Sequence, residues 1–350
     1  MFQKSKFFFP VILILLALML LAAIAFGAVE ILPGEMFSAL KNYFSGKPPA
    51  SIYEGVFLQL RLPRVLLCAI VGAILSSSGV LMQGLFRNPI VEPGLVGTSA
   101  GAALGASIIF VWGPLIGVGI KSAFGPFLVP LFAFGGGLLA TYIVYMLAGN
   151  SKKVSILSLL LVGMAINALG LSGTGFMSYI ARDPQARSIT FWSLGTFSGA
   201  SWTQVGIVGT VAAFVLIIAT RYTRQLNALL LGEEEAAYLG VDVGRLQRRI
   251  LILNTAMVSV ATAFVGVISF MGLIVPHVLR LLIGSDNKKL LPASMITGAL
   301  LLTLADLAAR LLLAPAEIPI GIITSLVGAP IFVILLKRFS LAEGKGGYHA

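Results

Sequence analysis

The side chains that could carry out catalysis are few in this sequence and lie far apart. It contains one cysteine, Cys68, and two histidines, His277 and His349. It has no cysteine cluster, no His-Glu-x-x-His pair, no strand–turn–helix nucleophile elbow and no Gly-x-x-x-x-Gly-Lys-Ser/Thr loop for nucleotide phosphates. The sequence therefore predicts a protein that is not an enzyme, with no metal site and no cofactor of its own.

His277 directly follows Pro276 within a long apolar stretch. Imidazole is a common axial ligand of haem iron, so a contact with haem is one interpretation of this residue. A structural hydrogen bond made by a buried imidazole is the other. Acidic side chains inside apolar stretches are limited to Asp306 and, at the margins, Glu92 and Glu317. This scarcity argues against a pump driven by protons through a relay of carboxylates.

A run of three acids, Glu233–Glu235, opens a polar segment between two apolar stretches. Acids are favourable in the first turn of a helix, where they face the positive end of the helix dipole. Gly240 follows at a distance at which a glycine commonly ends a short helix, and Ala236 and Leu239 give that helix small and apolar surface. Such a capped helix suits insertion into a cleft of a partner protein. A solvated connector is an equally good interpretation of the spacing.

Three arginines, Arg61, Arg64 and Arg310, lie at the ends of apolar stretches. A guanidinium can hold a carboxylate with two parallel hydrogen bonds, which suits the docking of an acidic partner. Their positions alone favour a plainer interpretation, in which long cationic side chains reach from a membrane helix into the headgroup region. Asp306 lies one helical turn before Arg310, so these two side chains could form an ion pair.

The composition of the chain places these residues in a membrane. Hydrophobic residues make up 58% and charged residues 11% of the 350, and the mean hydropathy is +1.01. A soluble domain carries about 25% charged residues and could not bury so much apolar surface, so the solvent is lipid. The net charge of +11 is then explained by basic residues at the cytoplasmic ends of membrane helices rather than by nucleic acid binding.

The hydrophobic pattern predicts an all-α polytopic membrane protein with about ten transmembrane helices in a single domain, residues 1–350. Two outer segments are expected at 29–60 and 175–202, and an inner segment at 222–246. The spans are predicted at residues 8–28, 64–84, 94–112, 126–148, 154–174, 203–221, 247–268, 270–284, 292–313 and 321–337.

The distribution of basic residues predicts the orientation of these spans. With the N-terminus inside, 16 of the 24 Lys and Arg residues, Lys152 among them, fall on the inner side, and 8, including Lys121, on the outer side. An excess of Lys and Arg on the cytoplasmic side is the general rule for membrane proteins. Both termini are therefore predicted to be cytoplasmic, as an even number of spans requires.

Gly97, Gly101 and Gly105 recur every four residues and would share one face of the third span. Small residues allow membrane helices to approach closely. Tight packing within the chain is the interpretation that we favour over a pore lining.

Six short patterns occur in order along most of the chain. They are Arg61-Leu-Pro-Arg64, Arg87-Asn-Pro-Ile-Val-Glu-Pro-Gly94, Gly232-Glu-Glu-Glu-Ala-Ala-Tyr-Leu-Gly-Val241, Gly272-Leu-Ile-Val-Pro-His-Val-Leu-Arg280, Ala305-Asp-Leu-Ala-Ala-Arg310 and Glu317-Ile-Pro-Ile-Gly321. Together they resemble the FecCD family of permease subunits of bacterial ABC importers for iron–siderophore chelates, haem and cobalamin. One conservative departure is Ile90-Val-Glu92, where the commoner family pattern reads Leu-Ala-Asp.

The resemblance implies an assembly in the bacterial plasma (inner) membrane. A second copy of the chain would form a homodimer with the pathway at its interface. Two cytoplasmic ATPase subunits would hydrolyse ATP and drive alternating access, and an extracytoplasmic substrate-binding protein would deliver the cargo. The lipid bilayer surrounds this assembly, and nucleic acid is not among the partners.

The resemblance also implies roles for particular residues. Docking of glutamates of the binding protein would fall to Arg61, Arg64 and Arg310. Coupling to the ATPase would fall to Gly232, Glu233, Glu234, Glu235, Ala236, Leu239, Gly240 and Val241. Candidates for gating or structural roles are Arg87, Asn88, Pro276, His277 and Arg280. Because the motif around His277 is shared whatever the cargo, the resemblance favours a hydrogen bond over a haem ligand.

The expected cargo is an iron chelate, either a ferric siderophore or haem, and the stretch 88–106 leans toward haem importers. A cobalamin importer of the same family is the alternative. Outside the family, an ion-coupled secondary transporter is the next interpretation, but it would need more intramembrane acids than the sequence offers.

Overall fold

The structure is a computed structural model, which describes residues 4–27, 31–116, 125–150 and 153–346. Lys121, Lys152 and His349 therefore lie outside the described residues. The helices are α1 (Lys4–Ala25), α2 (Pro33–Phe44), α3 (Ile52–Val56), α4 (Leu62–Phe86), α5 (Thr98–Trp112), α6 (Gly125–Leu147), α7 (Ile156–Ile180), α8 (Gln185–Ser193), α9 (Trp202–Thr220), α10 (Thr223–Leu229), α11 (Glu233–Tyr238), α12 (Val243–Val265), α13 (Met271–Ile283), α14 (Asn287–Leu311) and α15 (Ile320–Gly346). Two short strands, β1 (Gly149–Asn150) and β2 (Lys153–Val154), form an antiparallel turn between α6 and α7.

The prediction of an all-helical membrane protein is confirmed. Within the described residues, eight helices are long and apolar enough to cross a bilayer, and they correspond to eight of the ten predicted spans. The other two, α5 and α13, have 15 and 13 residues. At about 1.5 Å per residue they reach about 20 to 23 Å, less than the hydrocarbon thickness of about 30 Å. The count of ten spans and the cytoplasmic termini stay predictions.

The predicted outer segments contain more helix than the sequence indicated. Instead of starting at residue 64, the second span begins at Ile52, where Ser51 caps the helix by accepting a hydrogen bond from the Glu54 amide. The helix passes through a π-helical segment, Phe57–Arg61, into α4. The irregular turn ends two residues before Pro63, whose ring nitrogen has no proton to donate to the helix ladder. Helix α7 likewise runs on to Ile180.

Helix α4 forms the centre of the protein and packs against α9, α12, α13 and α14. Two crossings bring backbones into direct contact. A Cβ atom on Gly72 would overlap the carbonyl of Gly298 on α14, and one on Gly79 would overlap the carbonyl of Gly272 on α13. The Ser76 hydroxyl bridges the first crossing by donating to the Ser294 carbonyl at 2.7 Å. Close backbone contact of this kind replaces the hydrophobic driving force that helices lack in lipid.

The repeated glycines at the start of α5 pack against α6. Cβ atoms on Gly101 and Gly105 would overlap backbone atoms of Gly136 and Phe132. Gly97 has a left-handed backbone with φ of 86° and ends the turn before α5. Among the described residues, the glycine face therefore meets a neighbouring helix of the same chain, in agreement with the packing interpretation.

We expect Gly79→Ala to destabilise the fold. The added methyl group meets backbone that cannot rotate away, and overpacking of this kind lowers the free energy of unfolding by about 1–3 kcal/mol. Gly135→Ala is the matched control, because nothing lies within 4 Å of its Cβ position and alanine is the better helix former by about 1 kcal/mol. Thermal unfolding in detergent should separate the two variants, and equal midpoints would contradict the backbone contact.

Candidate functional site

Five charged side chains form a cluster at one end of the central helices, which we call the arginine cluster: Arg61, Arg64, Asp306, Arg310 and Glu317. Arg64 Nη2 lies 2.8 Å from Asp306 Oδ1, and Arg64 Nη1 lies 2.8 Å from Glu317 Oε1. Arg310 Nε lies 3.0 Å from Asp306 Oδ2 one turn away on α14, so the predicted pair is confirmed. The buried Asp306 carboxylate thus lies between two guanidinium groups, as a charge removed from water requires.

The same cluster binds the carbonyl end of α1. Arg61 Nη1 donates to the carbonyls of Ile24 and Ala25, both at 2.7 Å. Arg310 Nη2 donates to the Ala23 carbonyl at 2.9 Å. The last carbonyls of a helix have no partner within the helix and carry partial negative charge, so two cations stabilise this end of α1. Sequence reasoning missed these contacts because no pattern links an arginine to a carbonyl 36 or 287 residues away.

The structure brings the three predicted docking arginines together but engages all of them within the chain. Arg61 and Arg310 are only 6% exposed. Exposure is 12% for the Arg64 side chain and 40% for Glu317. Their guanidinium groups therefore contact neighbouring helices, which argues against side chains that simply reach into the headgroup region. Their contact with a partner protein stays a prediction.

The predicted short helix in the inner segment is present as α11. Gly232 precedes it with φ of 140°, and Gly240 follows it with φ of 83°. The Gly240 amide donates to the Ala237 carbonyl and the Val241 amide to the Ala236 carbonyl, both at 2.9 Å. This pair of bonds is a Schellman motif, which ends a helix sharply at a left-handed glycine. The Ala236 side chain is fully buried and anchors the helix to the main core.

The face of α11 that points away from the core carries apolar side chains that no other described residue covers. Tyr238 is 90% exposed, and Leu239 and Leu231 are 64% and 68% exposed. We call these three residues, with the exposed acids Glu233–Glu235, the α11 patch. It lies outside the candidate spanning segments. Exposed apolar side chains grouped in this way are typical of surfaces that bind a protein or a membrane, and the coupling role of this segment stays a prediction.

An ion pair joins the end of α4 to α11. Arg87 ends α4 in the left-handed conformation, with φ of 50°, and its Nη2 lies 3.5 Å from Glu233 Oε1. The two side chains are 40% and 47% exposed, so the pair contributes at most about 1 kcal/mol. Asn88 turns the chain by accepting the Ile90 amide at 3.0 Å. The position of the pair matters more than its strength, because it connects the central helix to the α11 patch.

Hydrogen bonds to α12 and to the start of α13 hold the connection between α4 and α5 in place. Glu92 Oε1 accepts the Phe270 amide at 3.2 Å, and Asn254 Nδ2 donates to the Pro93 carbonyl at 3.2 Å. Phe270 has φ of 68° at the start of α13, a costly conformation that the Glu92 contact stabilises. The sequence indicated Glu92 only as an acid at the margin of an apolar stretch and as part of a departure from the family pattern. Its carboxylate in fact reaches across to the next helix.

His277 and Arg280, which follow Pro276 on α13, lie beside the same connection. The imidazole of His277 donates to the Pro89 carbonyl, which is the structural hydrogen bond that the sequence allowed. The Nε and Nη2 atoms of Arg280 are buried and have no hydrogen-bond partner within the described part of the chain. Among the residues that the structure describes, no group of three or more His, Cys, Asp or Glu side chains could hold a metal ion.

Asp242 begins α12 directly after the α11 segment. Its carboxylate accepts hydrogen bonds from the Arg245 amide and guanidinium. These bonds, the backbone bond first, hold the pKa of the Asp242 carboxyl below its usual range. A lowered folded-state pKa means that this contribution to stability is present at neutral pH and is lost as the pH falls through that pKa.

Long apolar helices with charged clusters at both ends define a polytopic membrane protein. Residues 14–338 match the FecCD transport family, so the chain belongs to that family. It is accordingly a multi-pass inner-membrane permease subunit of the type found in ABC importers.

Particular relatives are similar along most of their length. The chain is 39% identical over 334 residues to the hemin transport system permease protein HmuU of Yersinia pestis, covering 92% of this chain and 94% of that protein. It is 39% identical over 278 residues to the cobalamin import system permease protein BtuC of Halobacterium salinarum, covering 79% and 72%. A solved inward-facing conformation of a metal-chelate type ABC transporter superposes with a TM-score of 0.81 at 30% identity, covering 95% and 99%.

Removing the Asp306 carboxylate should weaken the fold far more than removing Glu317. Asp306→Ala leaves Arg64 and Arg310 buried without their shared counter-ion, which costs about 3–5 kcal/mol. Glu317→Ala removes a pair that is open to solvent on one side and costs less than about 1 kcal/mol. Thermal unfolding of both variants in one detergent makes the comparison. Equal losses would show that Asp306 is not the centre of the cluster.

Proposed function

We propose that this chain is the membrane-spanning subunit of an ATP-driven importer for an iron chelate. In this proposal two copies form the passage, and two separate ATPase subunits on the cytoplasmic side supply the energy. A binding protein delivers the chelate on the other side. Membership of the FecCD transport family supports the proposal, as do the hemin permease relative and the metal-chelate transporter neighbour.

The observation that carries the proposal is the α11 patch. A six-residue helix with sharp ends, fixed from below by the buried Ala236, presents Tyr238 and Leu239 to solvent. A rigid helix of this kind loses little conformational entropy when it enters a cleft. The chain has no nucleotide-binding loop of its own, so the partner that fits this surface is the ATPase.

Helix α4 offers a mechanical path between the two ends of the molecule. It begins beside Arg61 and Arg64 in the arginine cluster and ends at Arg87, which pairs with Glu233 of α11. Movement of α11 by a closing ATPase would therefore reach α4 directly. Packed helices transmit such motion as rigid bodies, which suits alternating access. In this proposal, Arg87 and Asn88 connect α11 to the helices that line the passage.

Among the three docking arginines, we assign direct contact with the binding protein to Arg64. Its Nη1 atom is held by Glu317, the most exposed acid of the cluster. A glutamate of the partner can replace Glu317 there without opening the core. Arg61 and Arg310 instead fix α1 and Asp306, and so hold Arg64 in position.

Haem is the cargo we place first, and cobalamin and ferric siderophores are the alternatives within the family. The hemin permease relative and a cobalamin permease relative are equally similar to this chain, at 39% identity, so this order rests on the stretch 88–106 of the sequence. The bound cargo meets the permease only after the binding protein has selected it. Specificity therefore depends mostly on that protein.

In reconstituted vesicles, uptake should require the ATPase subunits and ATP, whatever the ion gradient. Tyr238→Asp should prevent association with the ATPase and abolish uptake, because a charge replaces the ring that enters the cleft. Tyr43→Asp is the matched control, since Tyr43 is 63% exposed near the end of α2 and lies outside the candidate spans. Co-purification and ATP-driven uptake measure both effects. Uptake without ATP, or normal association of the Tyr238 variant, would refute the proposal.

Two substitutions should change binding-protein affinity in opposite directions. Arg64→Gln removes the docking cation and should weaken association by about tenfold or more, as expected for a charged hydrogen bond. Glu317→Gln removes the competing internal carboxylate and should strengthen it. Surface plasmon resonance on the permease–ATPase complex gives both affinities. Weakening by both substitutions would mean that the cluster is purely structural.

A further inference from the structure

The inner ends of α9 and α14 enclose a cavity that the transport mechanism does not use. Its volume is about 540 Å³, and it is open on one side. The polar wall is formed by Arg221, Arg224 and Lys288, and the apolar floor by Leu291 and Met295. We call it the basic cavity.

The basic cavity lies at the level where the membrane ends. The spanning part of α9 stops at Thr220, the residue before Arg221, and α14 begins its span at Asn287. The three cations therefore lie at the boundary of hydrocarbon and water, and the apolar floor continues along α14 into the hydrocarbon. Phospholipid headgroups occupy this layer of a bilayer.

Within the part of the chain that the structure describes, no acidic side chain neutralises the charge of the cavity. Four other arginines, Arg64, Arg87, Arg245 and Arg310, have carboxylate partners. Among the described residues, no carboxylate forms an ion pair with any of the three cavity cations, and the neighbouring Asp286 instead accepts the Asn227 amide group and the Lys288 amide. Three cations around one opening repel one another unless an anion lies between them.

We propose that the basic cavity binds the phosphate group of an anionic phospholipid of the adjoining leaflet. Two guanidinium groups and one ammonium group hold a phosphodiester as charged hydrogen-bond donors, and Thr220 and Thr223 add hydroxyl groups at the rim. The glycerol and the first acyl carbons lie on Leu291 and Met295. Basic cavities between membrane helices on the cytoplasmic side hold anionic headgroups in this way. This inference is independent of the cargo.

The lipid would also support the segment that carries the α11 patch. Helix α10 begins at Thr223, in the wall of the cavity, and Asn227 ties it to the start of α14 through hydrogen bonds of 2.7 Å and 2.8 Å. A phosphate held between Arg224 and Lys288 adds a second bridge between the same two helices. Bound lipid should therefore raise the thermal stability of the chain and favour association with the ATPase.

The experiment uses the delipidated full chain, with native mass spectrometry and thermal unfolding as readouts. Phosphatidylglycerol should bind and raise the unfolding midpoint, and phosphatidylcholine of equal chain length should not. Arg221→Gln with Arg224→Gln should weaken phosphatidylglycerol binding by about tenfold or more, since each cation near the headgroup layer contributes about 1 kcal/mol. Arg221→Lys with Arg224→Lys keeps the charge and should retain most of the binding. Retained binding would also show that substitution at these two positions leaves the protein folded.

The matched control is Arg245→Gln with Lys337→Gln, which removes two exposed cations predicted on the same side but outside the cavity. It should leave phosphatidylglycerol binding unchanged. Equal weakening by the two charge-removing pairs, or no preference for phosphatidylglycerol over phosphatidylcholine, would overturn the proposal. Inorganic phosphate and glycerol phosphate form a separate arm. If either gives the same stabilisation as the lipid, the site is for dissolved phosphate and the lipid proposal is wrong.

Discussion

The close contact of α4 with its neighbours is the constraint on which the rest of the structure depends. At Gly72 and Gly79 the backbone of α4 touches the backbones of α14 and α13. In lipid, apolar side chains gain nothing by exchanging lipid for protein, so packing and hydrogen bonds must hold the helices together. Both charged regions are attached to α4, one at each end. Their relative position is therefore set by how α4 is held in the middle.

Polar groups inside the apolar core complete this arrangement. Ser78 donates to Asn254 Oδ1 at 2.6 Å, and Asn254 in turn donates to the Pro93 carbonyl. Gln83 reaches the Leu273 carbonyl at 3.0 Å. Each bond links α4, or the connection after it, to α12 or α13. In a medium of low dielectric these bonds are strong and their geometry is selective, so they define which helices are neighbours where hydrophobicity cannot.

The sequence predicts the parts of this protein that depend on local chemistry. The apolar runs, the left-handed Gly240 at the end of α11 and the Asp306–Arg310 pair each follow from residues close together in the chain. The contacts that shape the arginine cluster do not follow from neighbouring residues. Arg64 meets Glu317 only because α14 folds back beside α4. Glu92 is a similar case, since its partner Phe270 lies 178 residues further on. Such pairs depend on tertiary packing, which periodicity does not encode.

The attachment of α1 has a consequence for how the protein is made. Only a small part of α1 is buried against the rest of the chain, 11% of its spanning window, and its carbonyl end is bound by the arginine cluster. One of the cations that bind this end, Arg310, is synthesised 287 residues after Ala23. At about 5–20 residues per second, a ribosome needs about 15–60 seconds for that interval. During this time α1 remains in the bilayer with its last carbonyls incompletely bound, and the final placement of the first helix awaits the synthesis of nearly the last.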